Sequence, residues 1–161
     1  MRKIFLPLVV IFLLVQGCGY TLHGKKDFLA SDVRIGKIEN RTREPRLDDI
    51  LTKALSDEAL KQGLAINRAS QYEIHGTIDR FDFRGVSERE EVFEAYEVIV
   101  GGKFFLRTAD GGEVILKGEN PFIYTFPAKA DLNVVFAERE RAVGEAMSGL
   151  AAEIVAGIIY R

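Results

Sequence analysis

The chain holds one cysteine, Cys18, and two histidines, His23 and His75, among its 161 residues. A thiol can ligate a metal, attack a carbonyl, close a disulfide or carry a thioether, and its surroundings choose among these. A lone cysteine excludes an intramolecular disulfide. Neither histidine has a second histidine or a carboxylate at a metal-ligand spacing such as H-E-x-x-H. None of Ser31, Ser56, Ser70, Ser87 and Ser148 sits in a G-x-S-x-G turn that would expose a nucleophile. Gly101-Gly102 and Gly111-Gly112 lack the lysine and hydroxyl of a phosphate-binding loop. The carboxylates of 88–91 and 138–141 are interleaved with arginines and read as solvated charge on a loop and a helix face. The sequence therefore predicts no enzyme, no metal site and no cofactor, and leaves Cys18 as the group that needs explaining.

Its surroundings are specific. Arg2 and Lys3 precede an apolar stretch, residues 4–15, broken only by Pro7. That is too short to cross a bilayer as a helix, which takes about 20 apolar residues, and suits the core of a secretory signal. The stretch closes with Val15-Gln16-Gly17-Cys18, which resembles the lipobox of bacterial lipoproteins. The resemblance implies cleavage before Cys18 and a diacylglycerol held on its thiol as a thioether. Each buried methylene contributes about 0.8 kcal/mol, and a single chain binds only marginally, so two or three chains make a durable anchor. Residues 1–17 are thus expected to be a lipoprotein signal peptide and residues 18–30, small and polar, a lipidated tether. Removing 1–17 takes two basic residues away and moves the net charge from −2 to −4. A nucleic-acid partner would ask for a basic excess, and any anionic ligand must be met by local cations.

The elements that would follow the tether read as β-α-β-β-β-α. Val33, Ile35 and Ile38 mark a short first strand, and 39–45 a polar connection in which Pro45 suits a first helical turn. Leu47, Ile50, Leu51, Ala54, Leu55 and Ala59 keep helical spacing, with Asp48 and Asp49 at the positive end and Gly63 as a stop. Tyr72, Ile74, Gly76 and Ile78 alternate as a strand, and the phase shift to Phe81 and Phe83 predicts a bulge near Asp79–Arg80. Residues 85–91 read as a charged turn, and 92–106 as a long strand apolar in both phases. After a hairpin at 109–112, residues 113–126 return as a strand interrupted by Pro121. A second helix, with Asp131 as candidate N-cap, carries the stripe Val143, Ala146, Met147, Leu150, Ala151, Ile154, Val155 and Ile158. The expected fold is α+β: a small, mainly antiparallel four-stranded sheet with two helices on one face, forming a single domain over 31–161.

Phe81, Phe83, Phe93, Phe104, Phe105, Phe122, Tyr124 and Phe126 are more aromatics than one face of a small sheet needs. They either fill the core beneath the helices or reach the outer face and meet an apolar partner or lipid. Among the interleaved cations, Arg80, Arg84, Lys103 and Lys117 are the candidates for anionic head groups, chosen on strand position and charge alone.

Several features together resemble the LptE family of lipopolysaccharide-assembly lipoproteins: the lipobox followed by Cys18-Gly19-Tyr20, Asn40-Arg41-Thr42 with Glu44-Pro45 ahead of a leucine-rich helix, and the element order. The resemblance implies an outer-membrane lipoprotein on the periplasmic face, with Gly19 after the cysteine compatible with that destination. It implies a non-catalytic role: plugging the lumen of the large β-barrel LptD, helping it assemble, and binding lipopolysaccharide. The residues alone also fit a periplasm-facing lipoprotein adaptor of another cell-envelope assembly machine.

Overall fold

The computed structural model describes residues 29–89, 92–117, 120–128 and 132–160. Cys18, the signal stretch, nearly all of the tether and Asp131 lie outside them.

The chain enters beside the end of the last helix, where the Leu29 amide donates to the Ile158 carbonyl at 3.2 Å. Strand β1 (Asp32–Asn40) buries Val33 and Ile38, and an irregularity between Ile35 and Ile38 keeps Val33, Ile35 and Ile38 on one side. Helix α1 (Leu47–Lys61) then lays Leu47, Leu51, Leu55 and Ala59 into the core with no exposed surface. Its start is not at Pro45, as the sequence suggested, but two residues on: Arg46 caps it in the left-handed region at φ 64°. Its end follows expectation. Gly63, at φ 79°, donates to Leu60, and Leu64 reaches back to Ala59, the paired bonds of a Schellman stop.

Because α1 returns the chain to the end where β1 began, the next strands must run parallel to β1. Two do: β2 (Ala65–Ile66) on one side and β3 (Glu73–Arg89) on the other. β3 pairs antiparallel with β4 (Val92–Arg107) from Glu73↔Arg107 to Arg89↔Val92, with the expected bulge between Ile78 and Arg80. The charged segment 85–89, read as a turn, is instead strand, because Val86, Glu88 and Arg89 each find a partner on β4. Pro121 divides the return strand in two. β5 (Glu113–Lys117) pairs with Phe104–Arg107, and β6 (Phe122–Pro127) with Ala95–Val100.

The sheet is therefore mixed and six-stranded, in the order β2-β1-β3-β4-β5 with β6 also on β4, where four mainly antiparallel strands were expected. The two-residue β2 carries no periodic signal, and parallel pairing follows from the crossover, not from local sequence. Helix α2 (Leu132–Ile159) is long and apolar enough to cross a membrane, yet its stripe from Val143 to Ile158 is buried in the same core as α1 and Ile74, Ile78, Phe104 and Leu106. It docks closely on the strands: Gly149 sits on the Phe122 ring and Gly157 on the Leu116 backbone. Both helices cover one face of the sheet; among the described residues no helix covers the other, the bare face.

Candidate ligand-facing surface

On β3, β4 and β5 the bare face is built from alternate residues, and pairing fixes its order. Thr77 stands opposite Lys103, Arg80 opposite Gly101, Asp82 opposite Ile99, and Arg84 opposite Glu97. Gly101 carries no side chain, so Arg80 lies over open sheet: a Cβ at Gly101 would sit 3.4 Å from the Arg80 Cβ and 3.5 Å from Pro121. Arg84 donates twice to Glu97, at 3.0 and 3.2 Å. Ile99 is buried on this face by its neighbours, while Ile123 and Ile115 are 49% and 61% exposed. Three of the four candidate cations, Arg80, Arg84 and Lys103, thus share one surface with exposed aliphatic side chains.

Lys117 does not. A register shift between Phe104 and Phe105 turns it toward the helices, where its ammonium pairs with Glu153 of α2 and its side chain is 14% exposed.

The aromatics mostly face the other way. Phe104 and Phe126 are buried, and Phe81, Phe83, Phe122 and Tyr124 pack against the helix-side core. Phe83, Tyr96 and Phe126 form a stacked group with centroids 5.3–6.2 Å apart. The Arg139 guanidinium of α2 lies over Phe81 and Phe83 at 5.7 and 5.3 Å. Their surplus over one strand face serves as core, and of the eight only Phe105 is placed on the bare side; the Phe93 side chain is outside the description.

Toward the end where the chain enters, the bare face is a network of charge. Glu73 accepts from Arg34 at 2.9 Å and Arg107 at 2.6 Å, and His75 Nε2 lies 3.1 Å from Glu113 with its ring stacked on Phe105 at 5.7 Å. His75 is thus a structural member of the sheet surface. His23 lies outside the described residues. Among the described residues there is no group of three or more His, Cys, Asp and Glu side chains able to hold a metal.

At the opposite end the segment 40–44 is locked by its own side chains. Asn40 Oδ1 accepts from the Thr42 amide (3.0 Å) and hydroxyl (2.8 Å), and Asn40 Nδ2 donates to the Glu44 carbonyl at 2.7 Å. Glu44 in turn holds Arg139 at 2.8 Å. The Asn-Arg-Thr motif is therefore a turn former that projects Arg41 and Arg43 outward. With Asp79, Arg80 and Phe81 they line a shallow groove of about 370 Å³. Glu39 accepts from Arg41 at 2.9 Å, and that bond, with the charge behind it, holds its carboxyl below the ordinary value. The Glu44–Arg139 link joins residues 95 apart in the chain, and no local pattern could have announced it.

Residues 30–158 match the LptE family, whose description is lipopolysaccharide-assembly. No curated protein sequence matches the chain. The fold is shared with a minor lipoprotein of Acinetobacter baumannii, at 11% identity over 80% of this chain and 90% of that one, TM-score 0.54. It is shared with rare lipoprotein B of Shewanella oneidensis, at 12% identity over 76% and 90%, TM-score 0.53. A PelC dodecamer from Paraburkholderia phytofirmans has subunits alike at 15% identity over 83% and 92%, TM-score 0.54. At such identities these likenesses speak for the fold alone.

Proposed function

The chain belongs to the LptE lipopolysaccharide-assembly family, and on that premise we propose that it works as a lipid-anchored plug and assembly partner of the barrel LptD. In this reading residues 1–17 are removed as a signal, Cys18 carries the acyl chains, residues 18–30 are the tether, and the domain 31–161 stands on the periplasmic face of the outer membrane. The role is non-catalytic. The match over residues 30–158 carries the reading, because it spans nearly the whole folded body.

The geometry supports it in a particular way. A body sealed by helices on one side needs no partner to complete its core, so its bare sheet face is free to meet one. Arg80 stands opposite Gly101, and Lys103 two residues along that neighbouring strand, on the face that Ile99 and Ile123 share. Cations set among aliphatic side chains suit phosphates that arrive attached to acyl chains. Arg84, already shared with Glu97, adds charge nearby; Lys117, held by Glu153, would have to leave that partner to contribute.

Two measurements test this. Native lipoprotein isolated from outer membranes should carry an acylated Cys18 by intact mass and bring down a large β-barrel; an unmodified N-terminus in a soluble protein would overturn the anchor, and the absence of a barrel the partnership. Replacing both Arg80 and Lys103 with alanine should weaken lipopolysaccharide binding by about tenfold or more, at least one lost charge-assisted hydrogen bond, in a domain that still unfolds cooperatively. Equal binding by the variant would remove this face from the ligand.

A further inference from the structure

The domain has two ends, set by the direction of its strands. At the end where the chain enters, β1 and β2 begin side by side, Asp32 on Ala65 and Val33 on Ile66, and the Leu29 amide reaches the close of α2 at Ile158. The last turn of α1 arrives there too, just before the Gly63 stop. Among the described residues seven large apolar side chains are exposed, and four of them, Leu29, Leu60, Ile66 and Tyr160, belong to this end. Ile115 and Ile123 stand on the bare face, and Phe136 lies near the start of α2 at the far end. Leu60, 65% exposed, follows buried Ala59 and lies off the stripe that α1 gives to the core, so packing does not account for it.

Cations accompany these side chains. Lys61 and Arg68 are exposed, Lys61 with a 3.4 Å pairing to Glu58 that leaves its side chain 68% open. Carboxylates at this end are engaged within the fold. Asp32 accepts from Asn67 at 2.7 Å, Asp110 accepts from the Gly112 amide of its own hairpin at 3.2 Å, and Glu73 and Glu113 hold Arg34, Arg107 and His75. Exposed apolar side chains beside lysine and arginine are the composition of a surface that enters a lipid head-group layer.

The length of the tether decides which end can meet such a layer. Leu29 comes eleven residues after Cys18, a length that spans at most about 40 Å. β3 runs 17 residues away from the entry end, about 50 Å at the rise of a strand, so a domain standing on its far end would hold Leu29 out of reach of the leaflet. We propose that the entry end rests on the phospholipid leaflet that holds Cys18, with Leu60 and Ile66 in the head-group region and Lys61 and Arg68 on lipid phosphates. The strands then stand upright, and the bare face looks sideways along the membrane. This contact depends on the acylated Cys18 proposed for the chain, and it belongs to the lipoprotein before a barrel encloses it.

The test uses the full-length lipoprotein in vesicles of phosphatidylethanolamine and phosphatidylglycerol with brominated acyl chains. Acylation leaves Cys18 without a thiol, so an introduced cysteine is the one place a fluorophore can attach. A label on Leu60→Cys or Ile66→Cys should emit to the blue and be quenched several-fold by the brominated chains, while labels on Ile123→Cys and Phe136→Cys, at exposed apolar sites elsewhere, should stay in water. Gln71→Cys, an exposed polar position in the β2–β3 connection, reports the same end without altering the contact. Adding Leu60→Asp and Ile66→Asp should lower its docked-to-undocked ratio about tenfold or more. Vesicle-bound protein with labels 60 and 66 in water, equal quenching at 123 or 136, or a Gln71→Cys signal indifferent to the two aspartates would overturn the contact while the anchor stands. Protein that leaves the vesicles with an unmodified Cys18 would overturn the anchor and the contact with it.

Discussion

The two faces of this sheet are made by the same strands and held by different forces. On the helix side Val98, Val100, Phe104 and Leu106 of β4 are buried under α1 and α2. One residue out of phase, Gly101, Lys103, Phe105 and Arg107 look the other way, among ion pairs and part-exposed aliphatics. Burial of apolar area, at about 25 cal/mol per Å², dominates the first face. The second contributes little to stability, since exposed ion pairs are worth about 0–1 kcal/mol, and it is free to be spent on recognition. Adjacent residues on β4 can therefore have opposite significance.

Phe104 and Phe105 put that contrast to its strongest test. Phe104 is fully buried beneath the helices, in the space that Gly76 leaves for its ring. Phe104→Ala should cost about 3–5 kcal/mol, seen as a large drop in the denaturant midpoint. Phe105→Ala, on the bare face with His75 stacked on it, should cost about 1 kcal/mol or less beyond its modest burial. Similar losses at the two positions would mean that the bare face is not bare.

The glycine pair next along the strand sharpens the comparison. A Cβ on Gly102 would press into the Thr77 carbonyl oxygen and the Ile78 backbone, groups that cannot swing aside, whereas one on Gly101 would meet Arg80 and Pro121 at ordinary contact distance. Gly102→Ala should destabilise by about 1–3 kcal/mol. Gly101→Ala should stay within about 0.5 kcal/mol in thermal melts, since the added methyl meets only ordinary contacts.

How much of this could be read in advance depended on whether the signal was local. α1 was legible because four core residues and a glycine stop recur at helical spacing. The bulge after Ile78 was legible because the apolar phase slips by one. The run 92–106 was apolar in both phases, so nothing within it said that the even-numbered side chains go under the helices. The parallel placement of β1, the brief β2 and the extension of β3 through 85–89 are set by partners far along the chain. Lys117 shows the same limit at the surface: alternation alone put it with Arg80 and Lys103, and a register shift on the neighbouring strand turned it to Glu153.

Ion pairs give the smallest effect and the finest comparison, since an arginine–glutamate pair on each face can be matched at similar distance. Arg139 on α2 holds Glu44 at 2.8 Å, with its side chain 27% exposed and its guanidinium over Phe81 and Phe83. Arg84 holds Glu97 at 3.0 Å with 53% exposure. The helix-side pair lies over aromatic rings, where the cation gains about 0.5–1 kcal/mol that water does not screen away, and it ties the 40–44 turn to α2. A double-mutant cycle at Arg139 and Glu44, the more shielded pair, should return about 1 kcal/mol, and the cycle at Arg84 and Glu97 about 0.5 kcal/mol, falling toward zero in high salt. If both cycles gave the same coupling with the same salt dependence, the difference between the faces would reduce to burial of carbon alone, and Arg139 would be one more surface cation.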